Sequence, residues 1–480
     1  MAGMGKLLAP FRALLLMLAF FTPVLVPGTV AAQGGRDGGR EGGRGVVVIR
    51  DAETERMLRG FADPLFRAAG IDPARVDITL IQNRAINAFV TTGNRMFIHT
   101  GLILQAGGAS ELAGVLAHET GHIAGGHLAR LPDEMRMAML RSLAAMLLGA
   151  GAAVATGQGE AFGAVAMGGQ ASALGGLFAF TRGQEQAADQ AALHYLETVG
   201  WSAAGLERLL ERLLDQELLA VGRQDPYFRT HPLSRDRLDF VRERMRHGRA
   251  ARAMPPAALE GAFAMAKAKL HGFLDHPALV LRRYPAEDAS APARYARAIM
   301  AFRSGRIAEA AAGLDSLLAE QPGNPWLHEM KGQVLFEGHR AAEALPAYAA
   351  AARLAPAEPL IRTAHARVMI ELGEPALLPR AVAELEASLA LDRDSAFAWR
   401  QLGIAQGRLG RMPLADLALA EEAMLEEDFP AARFLARRAE EALPPGPARL
   451  RAADLRNAAR RDNLTLDQRA AEREHERRRR

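Results

Sequence analysis

The chain has 480 residues, 49% hydrophobic and 24% charged, with no cysteine. This length predicts two or more domains with ample core. The missing cysteine excludes disulfides, thiol catalysis and a lipoprotein anchor. Its 59 Lys and Arg and 55 Asp and Glu leave a formal charge of +4. The basic residues form no single patch, so nucleic acid is not indicated as a partner.

Lys6 and Arg12 precede an apolar run from Ala13 to Val26, followed by Val30-Ala31-Ala32. Charged, apolar and small-residue regions in this order predict a secretory signal over residues 1–32, cleaved after Ala32. An uncleaved anchor is the alternative, although the run is short for a span and contains Pro23. Residues 33–45 are Gly/Arg-rich and read as a flexible leader.

From Asp51 to Ala69, the spacing of Met57, Leu58, Phe61, Leu65 and Phe66 predicts an amphipathic helix. Val76 to Ile81 alternates as a strand. Phe89-Val90 and Met96 to Ile98 flank Thr91-Thr92-Gly93-Asn94 as a hairpin. An extended peptide can pair with such a hairpin edge through its backbone, without selection of side chains.

The most specific signal is His118-Glu119-Thr120-Gly121-His122. On a helix, residues i and i+4 share a face, so the two imidazoles can grip one metal ion, for which Zn²⁺ is suited. Glu119, between them, is placed to take a proton from water. Ser110 is the expected N-cap, Leu112, Val115 and Leu116 the buried side, and Gly121 leaves room for a neighbouring backbone. His127 falls one residue short of the third histidine in the metzincin pattern, where Leu128 stands. It is read as a solvated helix-end histidine, with a ligand role as the alternative.

Residues 135–180 are rich in Ala, Gly, Met and Leu, and 142–159 carry no charge. A soluble or interfacial helical pair covering the site is expected, with peripheral membrane contact. A membrane span is the alternative. Glu185 and Asp189 again stand at i and i+4. Glu185 completes a His-His-Glu ligand set, and Asp189 accepts the free N–H of a ligating imidazole. Gly200-Trp201-Ser202 ends one helix and caps the next, Ala203 to Gln216, whose stripe is Leu206, Leu209, Leu210 and Leu213. A polar loop, Gly222 to Thr230, leads to His231-Pro232 and a helix carrying Arg237.

Met254-Pro255-Pro256 marks a boundary. Beyond it, Ala310, Leu314, Leu318 and Pro322 recur 34 residues later as Ala344, Tyr348, Ala352 and Pro356, the tetratricopeptide period. Trp326, Gly332 and Gly338 stand where such repeats favour them. The third unit is longer by three residues through Pro375 to Pro379. The chain ends in four arginines, and residues 446–480 read as a charged tail, partly disordered.

Taken together, the motifs resemble the gluzincin peptidases of the HtpX and CAAX-prenyl-protease kind, within them the periplasmic BepA-like branch that carries tetratricopeptide repeats. Asn87-Ala88-Phe89 followed by Phe97-Ile98-His99 is similar to that family's substrate-side hairpin, which implies substrate contacts for Asn87, Phe89 and Phe97. Thr230-His231-Pro232-Leu233, ending in Arg237-Leu238, is similar to its His-Pro segment. This implies a place near the metal for His231 and Arg237, either of which would stabilise an oxyanion. His231 alternatively reaches the fourth metal position and holds the enzyme off.

The expected fold is mainly α: an α+β gluzincin domain with a small sheet over residues 46–253, connecting helices over 254–292, and an all-α repeat solenoid over 293–445. The expected function is a periplasmic zinc endopeptidase with one Zn²⁺ per chain, bound by His118, His122 and Glu185, with Glu119 as general base. By resemblance its substrates are unfolded or misassembled envelope proteins, and its partner is the outer-membrane assembly machinery. The rivals are a chaperone-like adaptor with structural zinc and a membrane-embedded peptidase.

Overall fold

The computed structural model describes residues 46–127, 180–214, 231, 235–247 and 255–479. Within 129–144 it describes 129–130, 133–137, 139–140 and 143–144. The expected signal, the leader, residues 145–179 and the loop 222–230 lie outside the described residues. Among the described residues, no helix is long and apolar enough to cross a membrane.

Helix α1 (Ala52–Ala68) starts at Asp51, whose carboxylate accepts the Thr54 N–H at 2.9 Å. All five apolar residues named from its spacing are buried, and Phe61 meets Trp201 edge-on at 5.8 Å. Strands β1 (Val48–Ile49), β2 (Asp77–Ile81), β3 (Ala88–Thr91) and β4 (Arg95–His99) form one sheet in the order β1-β2-β4-β3. β2 and β4 are parallel; the other pairs are antiparallel. The β3–β4 hairpin turns at Gly93 and Asn94, both with positive φ, which a tight turn requires. Its register sets Phe89 opposite Phe97 with the rings stacked at 5.1 Å, and leaves β3 at the sheet edge.

Helix α2 (Thr100–Gln105) leads to α3 (Ala109–Ala124). The N-cap of α3 is Gly108 rather than Ser110. The Ser110 hydroxyl instead accepts from Arg208 at 2.7 Å, and the Glu111 carboxylate reaches back to the Gly107 N–H at 3.0 Å. Helix α4 spans residues 180–198. It is followed by α5 (Ala204–Leu214), which buries Leu206, Leu209 and Leu210, and by α6 (Arg235–His247). The side chain of Leu213 lies outside those described.

Helix α7 (Ala257–Leu274) serves two cores at once. Phe263, Ala266 and Leu270 pack with α1, α3 and the sheet, whereas Met265 packs with Tyr295 and Ile299 of the next helices. Between these cores Lys269, 2% exposed, reaches Asp51 at 2.5 Å and Glu53 and Glu329 at 3.3 Å each. The Tyr295 hydroxyl donates to Glu53 at 2.9 Å. Burial pushes the Glu53 carboxyl up to about 7, against the pull of Lys269. One cation therefore holds the buried Glu53 of α1 together with two partly buried carboxylates, Asp51 at its N-cap and Glu329 of a repeat helix.

The repeat region is a run of helix pairs. Ile307–Glu320 and Pro325–Glu337 recur as Ala341–Leu354 and Pro359–Leu372, the spacing read from the sequence. The next pair, Leu378–Leu391 and Ala396–Arg408, follows the longer connection, residues 373–377. Met412–Leu425 and Phe429–Ala442 continue the array. Gly332 is needed there, because a Cβ would stand 2.7 Å from the Tyr348 ring.

The terminal segment, read as a partly disordered charged tail, is helical over most of its described residues. It forms Pro447–Ala458 and Leu466–Arg479, with Ala452, Leu455, Ala459 and Leu464 buried. Arg433 and Arg461 each hold the buried Glu472 at 2.8 Å. Its charge hides an apolar residue every third to fifth position, enough to fold it onto Phe429–Ala442.

Removing the one cation of the α7 hub should be costly. Lys269→Ala leaves the buried Glu53 and the partly buried Asp51 and Glu329 without a counter-charge and should destabilise folding by about 2–4 kcal/mol. Denaturant unfolding measures it, and a loss below about 1 kcal/mol would show the hub to be energetically idle.

Candidate metal centre

Helix α3 places His118, Glu119 and His122 in a fully buried stretch. Helix α4 comes close because position 121 is glycine: a Cβ there would stand 2.9 Å from the Ala188 carbonyl oxygen and 3.0 Å from its Cα. That approach brings Glu185 to the histidines. His118 Nε2 lies 3.0 Å from His122 Nε2 and 3.3 Å from Glu185 Oε2; His122 Nε2 lies 3.4 Å from Glu185 Oε1.

These separations suit a bound metal. Ligands at ~2.0–2.1 Å from one tetrahedral ion stand roughly 3.3 Å apart, and the three donors match that edge length. Burial opposes charge on His118, yet Asp189 and Glu185 raise it to about 10, so the point of convergence favours a cation. Burial drives His122 down to about 3, leaving it a neutral donor.

Asp189 Oδ1 accepts His118 Nδ1–H at 2.9 Å, which turns the Nε2 lone pair of His118 towards the cluster. Arg237 buttresses the same carboxylates. Its Nε donates to Asp189 Oδ2 at 2.6 Å, Nη2 to Asp189 Oδ1 at 2.9 Å, and Nη1 stands 2.9 Å from Glu185 Oε2. Against the cost of burial, Arg237 and His118 hold Asp189 below the usual carboxylate range. The guanidinium implied beside an oxyanion is thus engaged with the carboxylates behind the ligands.

His231 stands among the donors. Its Nδ1 lies 3.2 Å from Glu185 Oε1 and 3.3 Å from His118 Nε2, and its Nε2 lies 3.4 Å from Glu119 Oε1. Among the described residues the Glu119 oxygens are fully buried without a hydrogen-bond partner, and burial raises the Glu119 carboxyl, opposed by His231 and His118. Asn87 is buried on the approach to β3, while Phe89 and Phe97 are half-buried on the hairpin, whose β3 packs along α3.

One neighbour of the site was not legible in the motif. His127, read as a solvated helix-end residue, is 7% exposed, with Nδ1 2.9 Å from His122 Nδ1. The hint lay in Gly125-Gly126. Gly126 takes φ +60 and turns the chain back, and a Cβ at Gly125 would stand 2.4 Å from the His127 ring.

Asp189→Asn should weaken metal binding about 10–100-fold, by loosening both His118 and Arg237. Chelator competition on the purified variant reads it, and an unchanged affinity would show that His118 is oriented by other contacts.

The comparisons with known proteins agree with this site. Residues 49–245 match the family described as Peptidase family M48. The chain is 30% identical over 276 residues to the beta-barrel assembly-enhancing protease of Escherichia coli K12, covering 55% of each chain. It is 34% identical over 218 residues to a putative beta-barrel assembly-enhancing protease of Vibrio cholerae, covering 44% of this chain and 40% of the relative. To the mitochondrial metalloendopeptidase OMA1 of Schizosaccharomyces pombe it is 26% identical over 180 residues, covering 37% and 49%. The chain thus spans about half the length of the curated relatives it matches. The His-Glu-x-x-His helix and Glu185 both lie inside residues 49–245, the range similar to peptidase family M48.

Proposed function

We propose that the chain is a zinc-dependent endopeptidase of the periplasm that acts on unfolded or misassembled envelope proteins. The observation that carries this reading is the Glu119 carboxylate: buried, without a hydrogen-bond partner among the described residues, and next to three converging donors suited to a metal. Such a desolvated carboxylate is costly in a purely structural site and is suited to taking up a proton. This favours the peptidase over an adaptor with structural zinc. The names of the bacterial relatives support an envelope role linked to outer-membrane barrel assembly.

His118, His122 and Glu185 would hold the ion. Zinc, when bound, supplies Lewis acidity to the scissile carbonyl and acidity to its water. Glu119 accepts the proton of that water and returns it to the leaving amine. The edge strand β3, with Asn87, Phe89 and Phe97, aligns an extended substrate by backbone pairing. Arg237 is read as a positioning residue, because its nitrogens hold Glu185 and Asp189. The repeat array recruits substrates or the assembly machinery.

Metal analysis separates the roles. Glu185→Ala should lose zinc, whereas Glu119→Gln should keep it and lose turnover, since Glu119 touches water rather than the ion. Full occupancy in Glu185→Ala would remove Glu185 from the ligand set.

His231 supports a resting state that is held off. With Nδ1 in the donor cluster, it is a candidate fourth ligand in the place a catalytic water needs. His231→Ala should then raise basal casein cleavage at unchanged zinc content. A clear fall, towards the ~10²-fold loss of an oxyanion donor, would assign His231 to transition-state support instead.

A further inference from the structure

The motif defines the metal-binding face of His122 but leaves open what fixes its ring. His118 has Asp189 behind it, an anionic acceptor on Nδ1. Behind His122, among the described residues, Nδ1 meets not a carboxylate but His127 Nδ1, at 2.9 Å, with ring centroids 4.9 Å apart and planes at 81°. Two δ nitrogens at this distance share one proton, so one ring donates and the other accepts.

The metal face decides the direction. His122 Nε2 points at His118 Nε2 and Glu185 Oε1, 3.0 and 3.4 Å away, and must carry a lone pair to serve as a ligand. The neutral His122 proton therefore sits on Nδ1 and is donated to His127. Three features hold the acceptor in place. Gly126 turns the chain at φ +60, Gly125 leaves the space that a Cβ would take from the ring, and Gln184 of α4 donates to the His127 carbonyl at 3.1 Å.

We infer that His127 is a positioning residue of the metal centre: its Nδ1 accepts the His122 Nδ1–H, fixing the tautomer and ring angle that aim His122 Nε2 at the ion. The inference rests on the metal reading proposed above. The two second-neighbour contacts are unequal in kind. Asp189 makes His118 the more basic ligand, whereas the neutral His127 orients His122 without adding negative charge.

The test uses the full chain with two substitutions. In His127→Asn the side-chain oxygen replaces Nδ1 as acceptor; in His127→Leu the volume stays but the acceptor goes. Chelator competition should show zinc affinity about 10–100-fold lower in His127→Leu and near wild type in His127→Asn. Thermal melts of the metal-free proteins establish that both fold. Equal zinc affinity in His127→Leu and wild type would overturn the role, as would an equal loss in both variants. If the wild type takes up no zinc, the metal reading fails separately. The imidazole ¹⁵N spectrum of the metal-free protein then still decides the His127 contact. His122 should be the Nδ1–H tautomer in wild type and His127→Asn and a mixture in His127→Leu; an Nε2–H His122 in the wild type would refute it.

Discussion

The metal cluster depends on how closely two helix backbones approach. α3 and α4 touch at Gly121 and Ala188, where any side chain on residue 121 would strike the Ala188 backbone. Only at that separation does a glutamate from α4 reach two imidazoles on α3. Once there, Glu185 and Asp189 are buried negative charges that need partners. Arg237 from α6 supplies them, and His118 shares the load. A backbone contact thereby selects an electrostatic arrangement, which in turn selects the orientation of the ligands.

A second set of largely buried charges joins the core around α1, α3 and the sheet to the repeats. Lys269 on α7 faces Asp51, Glu53 and Glu329, while the apolar faces of the same helix serve both cores. Arg56 of α1 pairs with Glu358, and Arg50 reaches Asp392 at 3.0 Å, so the start of the domain is held at several points along the array. The helices read as a connector are thus part of both bodies.

Much of this was legible in the sequence because it is periodic. The i, i+4 pairs His118/His122 and Glu185/Asp189 and the 34-residue recurrence each encode a face of a helix, and the helices run where that spacing put them. The hairpin was readable from Gly93-Asn94. What stayed hidden depends on contacts distant in sequence. Ser110 looks like an N-cap, but Arg208 claims its hydroxyl. His127 looks like a frayed helix end until Gly126 folds it against His122. The terminal segment reads from its charge as a partly disordered tail, with no sign that Arg433 and Arg461 hold Glu472. Lys269 gives no local sign of its three carboxylates, all of them far from it in the chain.

X-ray absorption at the zinc edge of the purified chain tests the central claim most directly. The account predicts one zinc per chain in a shell of light atoms at ~2.0–2.2 Å, with the outer-shell signature of two or more imidazoles. Substoichiometric zinc, or a shell with fewer than two imidazoles, would contradict it.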